Sequence, residues 1–325
     1  MNLIESTADF VEFLGCSIPE KKSAFDSLVS SLGTTFLLDE TTNAKVFKAV
    51  SETRVIRIGQ KGVERLWAHA YAYASSFLGT GWKVENGSVP FDAEGEAILE
   101  EASQLLTWAV RADIALKVNK SVSVADQPSG LPSPFDPSED GTVLSLAQSL
   151  WCQALCFILF HEISHIQLGH SSHEAEVAYE NERDLQKKEV LLARANELLS
   201  LLEKDADREA ARWLLEDTQG TERRQLERRF GIVTALVYLA TRDVYLVAPK
   251  GLAAPPGYDR LFQTLSQYFF EHDAEDSEQV WAFVSICLML HIHNKRIPLD
   301  GNSLKGSWRQ IADTLVNVLA NRRVI

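Results

Sequence analysis

The chain has 325 residues, of which 46% are hydrophobic and 24% charged, and its formal net charge is −13. This length fits one large globular domain or two smaller ones. Acidic residues number 45 against 32 basic ones, so nucleic acid and anionic membrane surfaces are unfavourable partners. We expect a protein that binds neither.

Compartment and membrane association can be judged from the cysteines and the apolar segments. The chain has four cysteines, too few for a disulfide scaffold. Cys152 and Cys156 lie one helical turn apart among apolar residues, which favours buried thiols over metal ligands. The start of the chain has Glu5 and no cationic segment before an apolar run, and the most apolar windows are short or carry charges. We therefore expect a cytoplasmic protein without a signal peptide or transmembrane helix.

Short strands are predicted in the first third. TTFLLDE, KVFKAVSE and TRVIRIG have the alternation and β-branched content of strands, and DETTNA is a turn between the first two. Two segments with helical spacing follow, at 62–79 and 95–118. The expected fold is α+β and mostly helical, with a small antiparallel sheet in an N-terminal region at 1–123.

Residues 124–142 separate this region from the rest. The segment holds four of the ten prolines and little that could build a core, so it is predicted to be a loop or linker. Its position just before the next helix also suits a lid that contacts substrate. Residues 143–325 are expected to form a helical region, with helices predicted at 143–168, within the charged segment 174–216, and near 221–247, 258–271, 277–293 and 304–322.

The helix predicted at 143–168 carries FHEISHIQLGH. His161 and His165 are four residues apart, so both imidazoles project from one face and can hold one zinc ion. Glu162 is placed to take a proton from the attacking water. The alternative is a core or surface helix whose histidines only form hydrogen bonds. A catalytic zinc site needs a third protein ligand and an open position.

The third ligand is sought on a later helix. Glu203, in LLEKDADREAARWLL, follows the apolar run ANELLSLL and has Asp207 one turn further on. Glu203 is the predicted zinc ligand, and Asp207 is predicted to orient a ligand histidine. Asp205 and Glu209 are the next candidates for the ligand. His170 follows Gly169 at the wrong spacing for a metzincin ligand, so it is interpreted as a helix-end residue.

With HEISH and EKDADREAA, the chain resembles the gluzincin metallopeptidases, such as the CAAX prenyl protease and the heat-shock membrane proteases. Those families also carry His-Pro-Pro, three residues, then Arg-Leu, and here residues 254–261 read APPGYDRL. The match has Ala254 in place of the family's His. The resemblance implies one Zn²⁺ per chain. In those families the His is expected to stabilise the oxyanion, and here Arg260 or Tyr258 is predicted to do so instead. The alternative for residues 254–261 is a helix start capped by proline.

The position of HEISH in a chain of this size is similar to the Lit-like phage-exclusion peptidases, bacterial proteins that cleave host elongation factor Tu. That likeness implies a cytoplasmic zinc endopeptidase of antiviral defence with a protein substrate, a host translation factor being one candidate, and a regulatory protein partner. The edge of the N-terminal sheet would bind the extended substrate. The alternative is a binding or sensor protein that keeps a zincin scaffold without peptidase activity.

Three further histidines are expected outside the site. His69 lies among aromatic residues in WAHAYAY, which favours a packing role. His291 and His293 are two apart near a helix end and face different directions. We favour an interaction of these helix-end histidines with the helix dipole. The alternative is that one of them donates a hydrogen bond to the oxyanion.

Overall fold

The computed structural model describes residue 4 and the ranges 6–39, 45–80, 93–117, 131–135, 141–170, 181–216, 222–245, 257–268, 274–299 and 304–321. Within these ranges the chain forms ten α-helices and one three-stranded sheet. The α+β, mostly helical fold class is confirmed.

The helices are α1 (Thr7–Cys16), α2 (Lys22–Leu32), α3 (Gln60–Gly79), α4 (Ala93–Lys117), α5 (Thr142–Gln167), α6 (Leu185–Leu215), α7 (Glu222–Tyr245), α8 (Gly257–Tyr268), α9 (Ala274–Asn294) and α10 (Trp308–Asn321). Side chains cap three of the starts: Ser6 accepts the N–H of Asp9 and Asp184 that of Lys187, each at 3.1 Å, and Ser307 accepts the N–H of Gln310 at 3.3 Å. Such caps satisfy backbone donors that have no partner within the helix.

The sheet contains β1 (Thr35–Asp39), β2 (Phe47–Val50) and β3 (Val55–Gly59) in the order β1-β3-β2. β2 and β3 form the expected antiparallel hairpin. β1 runs parallel to β3, so the sheet is mixed and the prediction of a purely antiparallel sheet is wrong on this pairing. The chain reverses its direction between β1 and β2 and again between β2 and β3, so β1 is parallel to β3 when it lies beside it. β3, which carries the fully buried Ile56 and Ile58, takes the centre.

Helix α5 runs through the hydrophobic core and packs against α3, α6 and α7. Leu155, Phe157, Ile158 and Phe160 are all at most 3% exposed. At Gly231 of α7, an added Cβ would lie 2.2 Å from the Cβ of Gln153, so the absence of a side chain lets these helices approach closely. α5 is long and apolar enough to cross a bilayer, but most of that stretch is buried inside the protein, and core helices pass the same test.

Part of the segment predicted as a linker packs on the core. Leu131 is buried, and the indole N–H of Trp67 donates to the carbonyl of Pro132 at 2.8 Å. The side-chain amide of Gln148 donates to the carbonyl of Pro134 at 2.6 Å. The remaining residues of the segment up to 140 lie outside the described residues. Buried side chains on both sides of the segment belong to one hydrophobic cluster.

A polar cluster lies inside this core, away from the sequence motif. The hydroxyl of Tyr73 is 3.0 Å from Nδ1 of His69 and 2.7 Å from Nε2 of His291. The hydroxyl of Thr241 lies 2.7 Å from the carbonyl oxygen of Val237 and 3.1 Å from Nε2 of His291.

Both histidines of the cluster are held neutral. Burial lowers the pKa of His69 to about 3, with a further contribution from Arg65. Burial, His69 and Lys295 lower the pKa of His291 well below its usual value. Protonation therefore favours the unfolded chain, in which a histidine has a pKa of about 6.5.

Because of these two buried histidines, we expect the free energy of unfolding to depend on pH. Because the folded-state pKa values are depressed, the contribution of the histidines is present above pH 6.5 and is lost as the pH falls towards 3. For His69 the free energy of unfolding should drop by about 2 kcal/mol between pH 7 and pH 5. Urea denaturation at both pH values measures this. His69→Gln should remove that share of the dependence, and an equally steep dependence in the variant would contradict the assignment.

Candidate metal centre

Helix α5 brings two imidazoles to one point. The Nε2 atoms of His161 and His165 lie 3.0 Å apart, as the four-residue spacing on one helix face requires. The ring of the preceding residue, Phe160, stacks on Trp213 of α6, with 5.1 Å between centroids and 12° between planes. This stacking fixes the part of α5 that carries the motif against α6.

Helix α6 supplies the carboxylates. Its residues Ala206, Ala210 and Ala211 are fully buried, and side chains this small let α6 approach α5 closely. Glu203 and Asp207 then reach the two imidazoles from the same face of α6. The predicted contact between the two helices is therefore present.

Three side chains form a cluster that could hold a metal ion: one ligand atom from each of His161, His165 and Glu203 lies within 4.8 Å of the others. Oε2 of Glu203 is 3.3 Å from Nε2 of His161, and Oε1 is 3.5 Å from Nε2 of His165. The exposed fraction of these side chains rises from 5% for His161 to 14% for His165 and 24% for Glu203. The cluster is therefore open to solvent on the side of His165 and Glu203.

A carboxylate and a guanidinium lie behind the cluster. Oδ1 of Asp207 is 2.9 Å from Nδ1 of His161. Arg260 of α8 donates to both oxygens of Asp207, at 2.7 and 2.8 Å, and its third nitrogen is 3.0 Å from Oε2 of Glu203. Asp207 and Arg260 are 2% and 4% exposed, so this is a buried, bidentate ion pair that also touches the ligand set.

These charges make the cluster attractive to a cation. Burial would lower the pKa of His161, but Asp207 and then Glu203 outweigh it and raise the pKa to about 9. Burial would likewise raise the pKa of Glu203, yet Arg260 and the two histidines hold it well below its usual value. Two ionised carboxylates thus face one guanidinium, and the remaining negative charge is balanced by a proton on His161 or by a metal ion.

His170 contacts His165 from outside the cluster. Gly169, at φ +65°, ends α5; its N–H bonds to the carbonyl of Ile166, and the N–H of His170 bonds to the carbonyl of His165. This is a Schellman motif. It turns the chain so that Nδ1 of His170 lies 3.0 Å from Nδ1 of His165. His170 is therefore a helix-end residue, as predicted, and it also orients a candidate ligand, which the spacing argument missed.

Glu162 points towards strand β2. Its Oε2 accepts a hydrogen bond from the backbone N–H of Ala49, at 2.5 Å. The N–H of Gly59 bonds to the carbonyl of Val46, and hydrogen-bonded pairs alternate along an antiparallel ladder. The main-chain groups of Phe47 and Ala49 therefore point away from β3. We call these groups the free edge of β2, and Glu162 lies against it.

The alternative ligands lie elsewhere on α6. Asp205 pairs with Arg208 at 2.8 Å and is 43% exposed, and Glu209 pairs with Arg212 at 2.5 Å. Neither belongs to the cluster of metal-binding atoms found among the described residues. Each of these carboxylates instead pairs with an arginine of its own helix.

The other predicted site residues are placed as follows. Arg260 lies beside Asp207 and Glu203, and its action on an oxyanion stays a prediction. Tyr258 is on the same helix, but its side chain is outside the described part of the chain, as is the whole of Ala254. His291 is buried in the core cluster, and His293 pairs with Glu100 at 3.1 Å.

Comparison with known proteins shows the family of this chain. Residues 56–284 match the family described as peptidase U49, a span that contains α5, α6, α8 and the central strand. The chain is 25% identical over 224 residues to the cell death peptidase of Escherichia coli (strain K12), an alignment that covers 67% of this chain and 64% of the relative. The chain thus spans less than two thirds of that relative's length. No solved structure matches. With a match over well over half of its length, the chain belongs to the peptidase U49 family.

Proposed function

We propose that this protein is a zinc-dependent endopeptidase. The observation that carries the proposal is the convergence of His161, His165 and Glu203 on one point. Glu162 follows His161 on the same helix and is the proposed base. Membership of a peptidase family supports hydrolysis of peptide bonds. A structural metal site would have no need of such a base.

The donor set fits zinc. Two imidazole nitrogens and one carboxylate oxygen are a ligand combination of catalytic zinc sites. Zn–N bonds of about 2.0–2.1 Å at tetrahedral angles place two nitrogens roughly 3.3 Å apart, close to the 3.0 Å between the two Nε2 atoms. The partly exposed side leaves room for a water molecule or substrate. When bound, zinc would polarise the scissile carbonyl and acidify a water molecule.

Four side chains around the cluster have separate roles in the proposed reaction. Glu162 accepts a proton from the attacking water and returns it to the leaving amine. Asp207, whose Oδ1 lies 2.9 Å from Nδ1 of His161, would favour the proton on that nitrogen and leave Nε2 as the metal-binding atom. His170 can accept the corresponding proton of His165. Arg260 balances one of the two carboxylate charges and holds both side chains in place.

The substrate is proposed to be an extended segment of a protein. The free edge of β2 lies against Glu162, which occupies the N–H of Ala49, and among the described residues no strand pairs with this edge. The other main-chain groups of the edge would bind extended chain through hydrogen bonds. Arg260 or Tyr258 would stabilise the oxyanion, as the sequence suggests.

A defence role is the proposed biological setting. It is supported by the match to a protein named cell death peptidase and by the resemblance to the phage-exclusion peptidases. In this setting the protein works in the cytoplasm on a host protein, a translation factor being one candidate, under the control of a regulatory partner.

The first prediction concerns the base. Glu162→Gln should keep the fold and the zinc but reduce cleavage at least about 100-fold, because the amide cannot take a proton. Expression in bacteria with and without phage infection, followed by identification of newly formed N-termini, measures cleavage and names the substrate. Glu197→Gln, the same change at an exposed position of α6, is the matched control. If Glu162→Gln cleaved as well as Glu197→Gln, the peptidase mechanism would be wrong.

The second prediction concerns the ligands. Glu203→Ala should lose most of the one zinc expected per chain, whereas Asp205→Ala should keep it, because Asp205 pairs with Arg208 and is not a member of the cluster. Metal content after dialysis is measured by elemental mass spectrometry.

A third variant tests the contact of His170 with the candidate ligand His165. His170→Ala should still bind zinc, with an affinity about 10- to 100-fold lower in a chelator competition.

For the ligand prediction, loss of zinc from Asp205→Ala together with retention of zinc in Glu203→Ala would show that the third ligand is Asp205.

A further inference from the structure

We infer that the peptide N–H of Ala49 is a positioning group of the active site, which holds one oxygen of Glu162 so that the other faces the attacking water. This inference rests on the proposed peptidase function. It assigns a role to the backbone of β2 that is separate from the binding of substrate.

The N–H of Ala49 is available because the sheet does not use it. Lys48 and Val50 make the ladder bonds to β3, whereas the main-chain groups of Ala49 are on the free edge of β2. The hydrogen bond from Ala49 to Oε2 of Glu162 agrees with this assignment. The donor is therefore rigidly held by the strand and unoccupied by the sheet.

A hydrogen bond from the backbone is needed to restrict the flexible side chain of Glu162. A glutamate side chain has three rotatable bonds, and fixing it costs about 1.5–2 kcal/mol of conformational entropy. General-base catalysis requires the carboxylate within about 0.5 Å of its productive position. A main-chain donor on a strand that packs against α5 restricts the carboxylate before substrate arrives. Since one oxygen is held, the other remains for the water.

A main-chain donor makes position 49 tolerant of side-chain changes but intolerant of proline. Proline alone among the amino acids lacks the N–H, and it is accepted on edge strands where the N–H points away from the ladder. Ala49→Pro therefore removes the donor without removing a sheet hydrogen bond. Ala49→Ser alters the side chain and keeps the donor, so it is the matched control.

The kinetic experiment uses a fluorogenic peptide taken from the cleavage site that the new N-termini define. Ala49→Pro should lower kcat about 10- to 100-fold relative to Ala49→Ser, with KM within about twofold and zinc content unchanged. An unchanged kcat would overturn the inference. A higher kcat would also overturn it, because the bond would then be restraining the base in an inactive position.

Amide hydrogen exchange tests the same bond without a substrate. In the zinc-loaded protein, the Ala49 amide should exchange at least about tenfold faster in Glu162→Ala than in wild type. The ladder amides of Lys48 and Val50 should be unaffected. Equal exchange at Ala49 in both proteins would overturn the inference, even if Ala49→Pro fails to fold. If the wild type cleaves nothing, the proposed function fails, while the exchange result still decides whether Ala49 holds Glu162.

Discussion

The ion pair of Asp207 with Arg260 ties three helices to the metal cluster. Asp207 is on α6, Arg260 is on α8, and His161, which Asp207 contacts, is on α5. Charges this deeply buried are tolerated only when they are paired and hydrogen-bonded, and removing one partner of such a pair typically costs about 3–5 kcal/mol. The third contact of Arg260, with Glu203, extends the constraint to the candidate ligand. The positions of His161 and Glu203 therefore depend on this pair.

The cluster is asymmetric about the two imidazoles. His161 is deep and backed by a carboxylate, while His165 is more exposed and backed by the imidazole of His170. A carboxylate partner raises the basicity of its imidazole more than a neutral one does. The rigid, buried side thus lies towards the core, and the accessible side holds Glu203, His165 and His170. Chemistry on a protein substrate requires such an opening next to fixed ligands.

Periodicity was sufficient for most of the fold, because α5 and the hairpin of β2 and β3 are specified by local patterns of apolar residues. The pairing of β1 was missed because it depends on which strand is buried at the centre, and local alternation carries no information on strand order.

Glu203 could be picked out from other acidic residues by the apolar residues around it. The contact of His170 depends on the left-handed turn at Gly169, which the Gly-His pair signals only weakly. The hydrogen bond from Ala49 has no side-chain signal at all, because any residue except proline supplies the donor.

Membership of the peptidase U49 family and the cluster of His161, His165 and Glu203 support the proposal that the chemistry of this chain lies on α5 and α6. The central claim is that one zinc ion is held by His161, His165 and Glu203. X-ray absorption spectroscopy of the purified protein at the zinc edge tests it most directly. The account predicts one zinc per chain with two imidazole nitrogens and a carboxylate oxygen at about 2.0–2.2 Å. Sulfur scattering at about 2.3 Å, or a zinc spectrum unchanged in Glu203→Ala, would contradict it.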